Sequence, residues 1–204
     1  MTVLNRIYLA SCSPRRRELL AQIGVHFEPL LFRAGGREDC EILEDPLPDE
    51  APEDYVCRVA IAKASHGVQL YKTRGLPHRP VLSADTTLDV DGEIIGKPRN
   101  EADAVAILRR LSGRTHRVLT AVAMCHEHRT EHVLSISEVR FRVLDDDEIL
   151  RYVRSGEPMD KAGAYGIQGR AAMFVEEIRG SHSGIVGLPL CETALLLRHF
   201  NYSI

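Results

Sequence analysis

The run Ile7-Tyr8-Leu9-Ala10-Ser11-Cys12-Ser13-Pro14-Arg15-Arg16-Arg17-Glu18-Leu19-Leu20 constrains the chain more than any other stretch. Its apolar start suits a buried strand, which passes through small hydroxyl and thiol residues straight into a helix. Ser13 is a good N-cap, and Pro14 fits the first helical position, where its missing N–H would be unbonded anyway. Leu19, Leu20 and Ile23 give that helix an apolar face. A strand, a tight hydroxyl-rich turn and a helix N-terminus form a place where backbone N–H groups and the helix dipole favour an anion. Three arginines in the first turn oppose that dipole. A bound anion among them accounts for the arrangement, and so does a solvated basic face.

At 204 residues the chain is long enough for one core, or for two lobes around a cleft. With 44% apolar and 27% charged residues it has the balance of a globular protein rather than a disordered one. A formal net charge of -3 gives no general attraction to nucleic acid, so the arginines must act locally if they act at all. No apolar run approaches the roughly 20 residues of a membrane span, and Ile7 to Ala10 is too short for the core of a signal peptide. No nucleic-acid or membrane partner is therefore expected. Five cysteines without a C-x-x-C pair resemble neither a disulfide framework nor a zinc site, which suits a reducing cytoplasm.

Along the chain, Gly24 ends the first helix and Phe27 to Phe32 reads as a second strand. Arg33 to Glu50 reads as a long polar, acidic loop of the functional or mobile kind. A helix opens at Pro52, with Glu53 and Asp54 where the dipole favours acids. Its inward stripe is Val56, Val59, Ala60, Lys63 and Gly67, following the i, i+3, i+4, i+7 spacing. Lys63 thus falls on the buried face. It either snorkels, with its stem buried and its ammonium in water, or points into a cleft and meets an anion. Lys97, in Ile95-Gly96-Lys97-Pro98, is a second lone cation on a turn fixed by glycine and proline.

Pro80 to Ala84 reads as a buried strand with Asp85-Thr86-Thr87 at its carboxyl end, where α/β sheets collect ligands. Capping a turn is the other use of Asp85. Leu88 to Val90 and Glu93 to Ile95 flank Asp91-Gly92 as a hairpin. Asn100 caps a helix from Glu101 to Leu111, ended by Gly113. Arg117 to Met124 and Val133 to Phe141 read as strands joined through a tip with Cys125, His126, Glu127, His128 and His132. That tip lacks the H-E-x-x-H pattern and a rigid platform for zinc, and reads as exposed. Asp145 to Asp147 begin a short helix through Val153. Glycines then punctuate Asp160 to Gly169, where the amide of Gln168 suits a pyrimidine edge. A strand from Ala171 to Ile178, a glycine-rich turn from Gly184 to Leu190 and a helix from Pro189 through Leu197 complete an α/β chain with a mixed sheet.

The cations Arg15, Arg16, Lys63 and Lys97, with the acids Asp85 and Glu44, are what metal-assisted phosphoryl transfer uses. The sequence has no Walker A motif and no G-x-G-x-x-G fingerprint, which argues against a kinase, ATPase or dehydrogenase. Read from its residues, the chain is an enzyme acting on a phosphate-bearing ligand.

The successive segments Leu9-Ala10-Ser11-Cys12-Ser13-Pro14-Arg15-Arg16, Ala62-Lys63-Ala64, Ala84-Asp85-Thr86, Gly96-Lys97-Pro98, Leu111-Ser112-Gly113, Asp160 to Gly169 and Val186-Gly187-Leu188-Pro189-Leu190 resemble, in order, the motifs of the Maf family of nucleoside triphosphate pyrophosphatases. They cover nearly the whole chain. Arg15, Thr86 and Gly166-Ile167-Gln168-Gly169 make the resemblance closest to the subgroup that hydrolyses dTTP and UTP. The resemblance implies one catalytic domain over residues 1–204, with a two-lobed, inosine-triphosphatase-like α/β fold: a mixed central β-sheet flanked by helices, and a cleft between lobes. It implies house-cleaning hydrolysis of dTTP and UTP to the monophosphate and pyrophosphate with a divalent cation (Mg²⁺, Mn²⁺ or Co²⁺), and a homodimer.

Under the same resemblance Asp85 accepts the proton of the attacking water. Ser11, Arg16, Lys63 and Lys97 hold the triphosphate, while Arg15, Thr86 and Gln168 set base choice. Glu44 joins Asp85 at the metal. The chain departs from the family pattern in Cys12, where glycine is usual, in a longer loop from Arg33 to Leu43, and in His182, where tyrosine is common. Two other readings stand beside this one: a nucleotide-binding regulator of cell division with little turnover, and a sister pyrophosphatase acting on 7-methyl-GTP or another base.

Overall fold

A computed structural model of the chain describes residues 5–31, 44–202 and 204. Residues 33–43 of the long loop expected from Arg33 to Glu50 lie outside these residues, as does Phe32 of the second strand expected over Phe27 to Phe32, which ends at Pro29. The elements run β1 Ile7–Leu9, α1 Pro14–Gln22, β2 Phe27–Pro29, α2 Pro52–Thr73, β3 Val81–Val90, β4 Glu93–Ile95, α3 Glu101–Leu111, β5 Thr115–His126, β6 Arg129–Phe141, α4 Asp146–Val153, β7 Val175–Arg179, α5 His182–Val186 and α6 Leu190–His199. Seven strands form one mixed sheet in the order β2-β1-β3-β5-β6-β7, with β4 paired to β3. The β2-β1-β3 side is parallel and the remaining pairs are antiparallel.

Three apolar cores pack on this sheet. On one face α2 covers Tyr8, Val81, Ala121 and Ala123 with Val56, Ala60 and Ala64. On the opposite face Leu19, Leu20, Leu196 and Leu197 cover Ile7, Leu9, Leu82 and Val122. The third core sits farther along the same strands, where α3, α4 and the segment after it pack Leu108, Ile149, Tyr152, Tyr165 and Phe174 on Leu88, Val118 and Phe141. β3 and β5 therefore belong to two lobes, and the stretch between the cores is the gap that neither lobe fills.

The helix signals hold closely. Ser13 accepts a bond from the Arg16 N–H, Asn100 from Asp103 and Asp145 from Glu148, so side-chain oxygens satisfy these exposed helix N-termini. Three expectations differ. β3 runs unbroken through Asp85, Thr86 and Thr87, so these residues lie within a strand rather than at its end. Residues Arg170–Phe174 form a 3₁₀ turn that buries Ala171 and Phe174, three apart, and the strand begins only at Val175. The glycine-rich stretch starts as the short helix α5, capped by Ser181. The Cys125–His132 stretch lies on the paired ends of β5 and β6, and Glu127 turns the chain with φ 55°. Among the described residues no group of three acids, cysteines or histidines is placed to hold a metal. No helix among them is long and apolar enough to cross a membrane.

His116 on β5 is only 2% exposed and packs edge-on against Phe141 and Tyr165, with its Nε2 2.8 Å from the Tyr165 hydroxyl. Burial pushes its pKa down to about 4. Below pH 6.5 the unfolded chain takes up a proton there that the folded chain refuses, so stability falls as pH falls from about 6.5 to about 4, by about 3 kcal/mol in all. Urea unfolding at pH 7.0, 5.5 and 4.5 checks this. His116→Gln should flatten the pH dependence over that window, and parallel curves for the two proteins would remove His116 as its source.

Candidate active site

Between the lobes lies a cleft of about 1050 Å³, lined by the β1–α1 turn, one edge of α2, the middle of β3, the Gly96-Lys97 turn and the segment from Glu157 to Gly169. It gathers Ser11, Arg15, Arg16, Glu44, Lys63, Asp85, Thr86, Lys97 and Gln168, all of the sequence-derived candidates, from six separate parts of the chain.

Lys63 resolves in favour of the cleft. Its side chain is 14% exposed and its Nζ lies 2.8 Å from Asp85 Oδ1 and 3.2 Å from Glu44 Oε1. The register that allows this is set one turn earlier, where Ser83 Oγ donates to the Ala60 carbonyl at 2.6 Å and pins α2 to β3. From there, three residues along the helix and two along the strand bring ammonium and carboxylate together. Glu44 is held by its backbone. The Tyr55 hydroxyl donates to its carbonyl at 2.8 Å, and Arg58 ties the following segment to α2 through the Asp45 carbonyl and the Glu50 carboxylate. The Arg58 bond draws the Glu50 pKa down to about 2, while burial pushes Tyr55 up to about 12.

The arginines of α1 face protein oxygens. Arg16 Nε donates to the Gly187 carbonyl at 2.8 Å, Nη1 to Ser11 Oγ at 3.4 Å and Nη2 to Thr86 Oγ1 at 3.1 Å. Arg15 reaches across the cleft to Asp160 at 3.3 Å. The helix start therefore has no acid in its own first turn but finds compensating oxygens on other elements. Lys97 is exposed on the opposite rim and makes no hydrogen bond or ion pair with the described residues.

The loop that carries Gln168 is built around Glu157. Its Oε1 accepts from the Tyr152 hydroxyl at 3.0 Å and its Oε2 from the Arg170 N–H at 3.2 Å. A Cβ on Gly169 would come within 2.0 Å of that carboxylate, so any other residue there would have to push Glu157 off these bonds. The Gly166 backbone passes equally close to the stem of Lys161. Lys161 in turn donates to the Glu157 carbonyl and to Asp160, both at 2.6 Å. Gln168 stands exposed at the end of this scaffold. Tyr55, Arg58, Glu157 and Lys161 were not singled out from the sequence. Tyr55 and Arg58 carry a weak signal, lying three apart on one helix edge, and Glu157 carries none.

Arranged so, the cleft offers cations and N–H donors for a polyanion and two carboxylates converging on one ammonium. Comparison with known proteins places this arrangement. A search of solved structures finds the Staphylococcus aureus Ham1 protein at a TM-score of 0.52 and 13% identity, over 96% of this chain and 99% of the other. At that identity the likeness concerns the fold alone, which is of the inosine-triphosphatase-like kind. Among curated proteins, a dTTP/UTP pyrophosphatase of Dechloromonas aromatica is 64% identical over 97% of this chain and 98% of its own. One of Aromatoleum aromaticum is 64% identical over 98% and 97%, and one of Ralstonia nicotianae 59% identical over 94% and 92%. The model of the family described as Maf-like protein matches residues 6–200, and the chain belongs to that family.

Proposed function

We infer that this chain is a nucleoside triphosphate pyrophosphatase that hydrolyses dTTP and UTP to the monophosphate and pyrophosphate. The observation that carries the reading furthest is the cluster Glu44–Lys63–Asp85, with the Arg16 guanidinium in the same cleft. Asp85 Oδ1 is taken up by Lys63, whereas Oδ2 makes no bond among the described residues and is left to accept a proton from water. Lys63 fixes the Asp85 carboxylate in direction, as positioning of a general base requires. Attack of water on the α-phosphorus expels pyrophosphate, so negative charge builds on the bridging oxygen and the β-phosphate. Arg16, Lys63, Lys97 and Ser11 supply the fixed cations and donors that stabilise this charge.

Of the five N–H groups of Arg16, three are committed to protein oxygens and two remain for phosphate. Arg15 and Gln168 line the same cleft, and Arg15 is bonded to Asp160 of the loop that carries Gln168. We assign base choice to them together with Thr86, whose hydroxyl sits against Arg16. The amide of Gln168 can both donate and accept, which matches the adjacent acceptor and donor of a uracil or thymine edge.

The residues present fit a divalent cation. Glu44 and Asp85 each hold one oxygen against the Lys63 ammonium, which brings the two carboxylates together in the cleft, and magnesium-like ions take one or two carboxylates and complete their shell with substrate phosphates and water. Such an ion, when bound, supplies Lewis acidity and neutralises phosphate charge. We take residues 1–204 as a single catalytic domain that pairs with a second copy. The free thiols of Cys12, Cys57, Cys125 and Cys191 suit a reducing compartment such as the cytoplasm.

Pyrophosphate release from a panel of nucleoside triphosphates with Mg²⁺ or Mn²⁺ tests the reading, with dTTP and UTP expected to lead. Asp85→Asn should lower kcat by about 10²–10⁴, as loss of a general base does, with nucleotide affinity nearly unchanged; retained turnover would remove Asp85 from its role. Gln168→Ala should narrow the preference for UTP over CTP by about tenfold while kcat on UTP changes less, and an unaltered preference would assign base choice elsewhere. Glu44→Gln should raise the Mg²⁺ concentration needed for half-maximal rate. An unchanged metal requirement would place the ion on other residues.

A further inference from the structure

This inference rests on the triphosphate reading of the cleft and concerns what holds its central arginine still. Thr120 of β5 is completely buried and does not line the cleft. Its hydroxyl lies 2.9 Å from Thr86 Oγ1 and donates to the Gly184 carbonyl at 2.8 Å. We propose that Thr120 is a positioning residue that fixes the Arg16 guanidinium through Thr86.

The direction of every bond in this chain follows from counting protons. A threonine hydroxyl has one proton to give. The Gly184 carbonyl can only accept, so the Thr120 proton goes there, and an oxygen facing it at that distance without a proton between would be repelled. Thr120 can then only accept from Thr86. With its own proton committed to Thr120, Thr86 turns its lone pairs toward Arg16, whose Nη2 donates to it at 3.1 Å. The chain runs Arg16 → Thr86 → Thr120 → Gly184 carbonyl, with no hydroxyl free to rotate. Arg16 is thus gripped twice by one segment: directly at Nε by the Gly187 carbonyl, and through two threonines by the Gly184 carbonyl.

The fold is shaped to permit this. Thr86, Thr120 and Ser135 face one another across β3, β5 and β6, making a row of hydroxyls under α5. Gly184 lets α5 approach that row, since a Cβ there would meet Ser181 and Ser135 at 3.1–3.3 Å. Without Thr120 as acceptor, the Thr86 proton is free to turn toward Arg16, where two donors would oppose each other. The guanidinium then loses the orientation that aims its two spare N–H groups into the cleft.

The test compares Thr120→Val, Thr120→Ser and Thr86→Val with the unaltered chain, using inorganic tripolyphosphate binding by calorimetry and KM and kcat on UTP. Thr120→Val should weaken tripolyphosphate binding and raise the UTP KM by about tenfold, the worth of one oriented buried hydrogen bond, and Thr120→Ser should restore both. On tripolyphosphate, which carries no base, Thr86→Val should match Thr120→Val, and combining them should add nothing, because they interrupt the same chain. In an Arg16→Lys background Thr120→Val should have no further effect. Unchanged binding in Thr120→Val, an equal loss in Thr120→Ser, or a full penalty persisting beside Arg16→Lys would each overturn the proposal. Should Thr120→Val fail to fold, unchanged binding in Thr86→Val, which alters a less buried residue, overturns it equally. Turnover of UTP with no effect of Thr120→Val sinks the positioning role alone. The Thr120 effect on tripolyphosphate without any UTP turnover sinks the pyrophosphatase reading alone.

Discussion

The pairing of β3 with β5 carries the architecture, because nine consecutive residue pairs run from Val81 with Cys125 to Asp89 with Arg117 without interruption. One end of this ladder lies in the cores beside α2 and α6, and the other in the core beneath α3 and α4. The middle is shared by both lobes and filled by neither. Alternation of side chains along a strand does the rest. Ser83 and Asp85 face α2 and meet the Ala60 carbonyl and Lys63, whereas Thr86 faces the other way and meets Arg16. Two neighbouring residues thereby recruit two cations from helices on opposite sides of the sheet. Shifting β3 by one residue would exchange these roles, so the register of one strand pair decides whether the site exists.

Much of this was legible. Lys63 stood out because a charge on an apolar helical stripe contradicts its own surroundings, and the contradiction is resolved by a cleft. The turn from Ser11 to Arg16 was legible for a related reason: a good cap followed by arginines that oppose the dipole signals partners outside the helix. Those partners were not legible. Asp160, the Gly187 carbonyl and Thr86 come from distant parts of the chain, and nothing local announces them. Asp85-Thr86-Thr87 reads as a strand end, three polar residues following an apolar run. They continue the strand because threonine suits extended backbone and their polarity answers the cleft. At 170–174 the apolar residues looked like strand, but burial of Ala171 and Phe174 three apart is the pattern of a tight helical turn.

Thr120 shows the limit most clearly. In Val118-Leu119-Thr120-Ala121-Val122 it is an ordinary β-branched strand residue, and no pattern marks it. Its use depends on lying opposite Thr86 and on Gly184 bringing a carbonyl close, both products of tertiary assembly. Glu157 is similar, since an acid near the start of a glycine-rich run gives no hint that Gly169 will pack against its carboxylate.

The electrostatics of the cleft follow from the same assembly. Arg15 is bonded to Asp160, Arg16 to three oxygens and Lys63 to two carboxylates, so these cations already have partners before any ligand arrives. A polyphosphate entering the cleft exchanges partners more than it creates them. For a pair as enclosed as Lys63 and Asp85 the desolvation cost and the Coulomb attraction nearly offset each other, so the exchange is not opposed by a large loss. What the protein partners supply is orientation. Long cationic side chains that would otherwise sample many rotamers are held in one direction, and under the proposed reaction that reorganisation is completed during folding rather than at each turnover. Lys97 differs, being exposed and without a bonded partner among the described residues. Its ammonium lines the cleft without first having to leave a protein partner there.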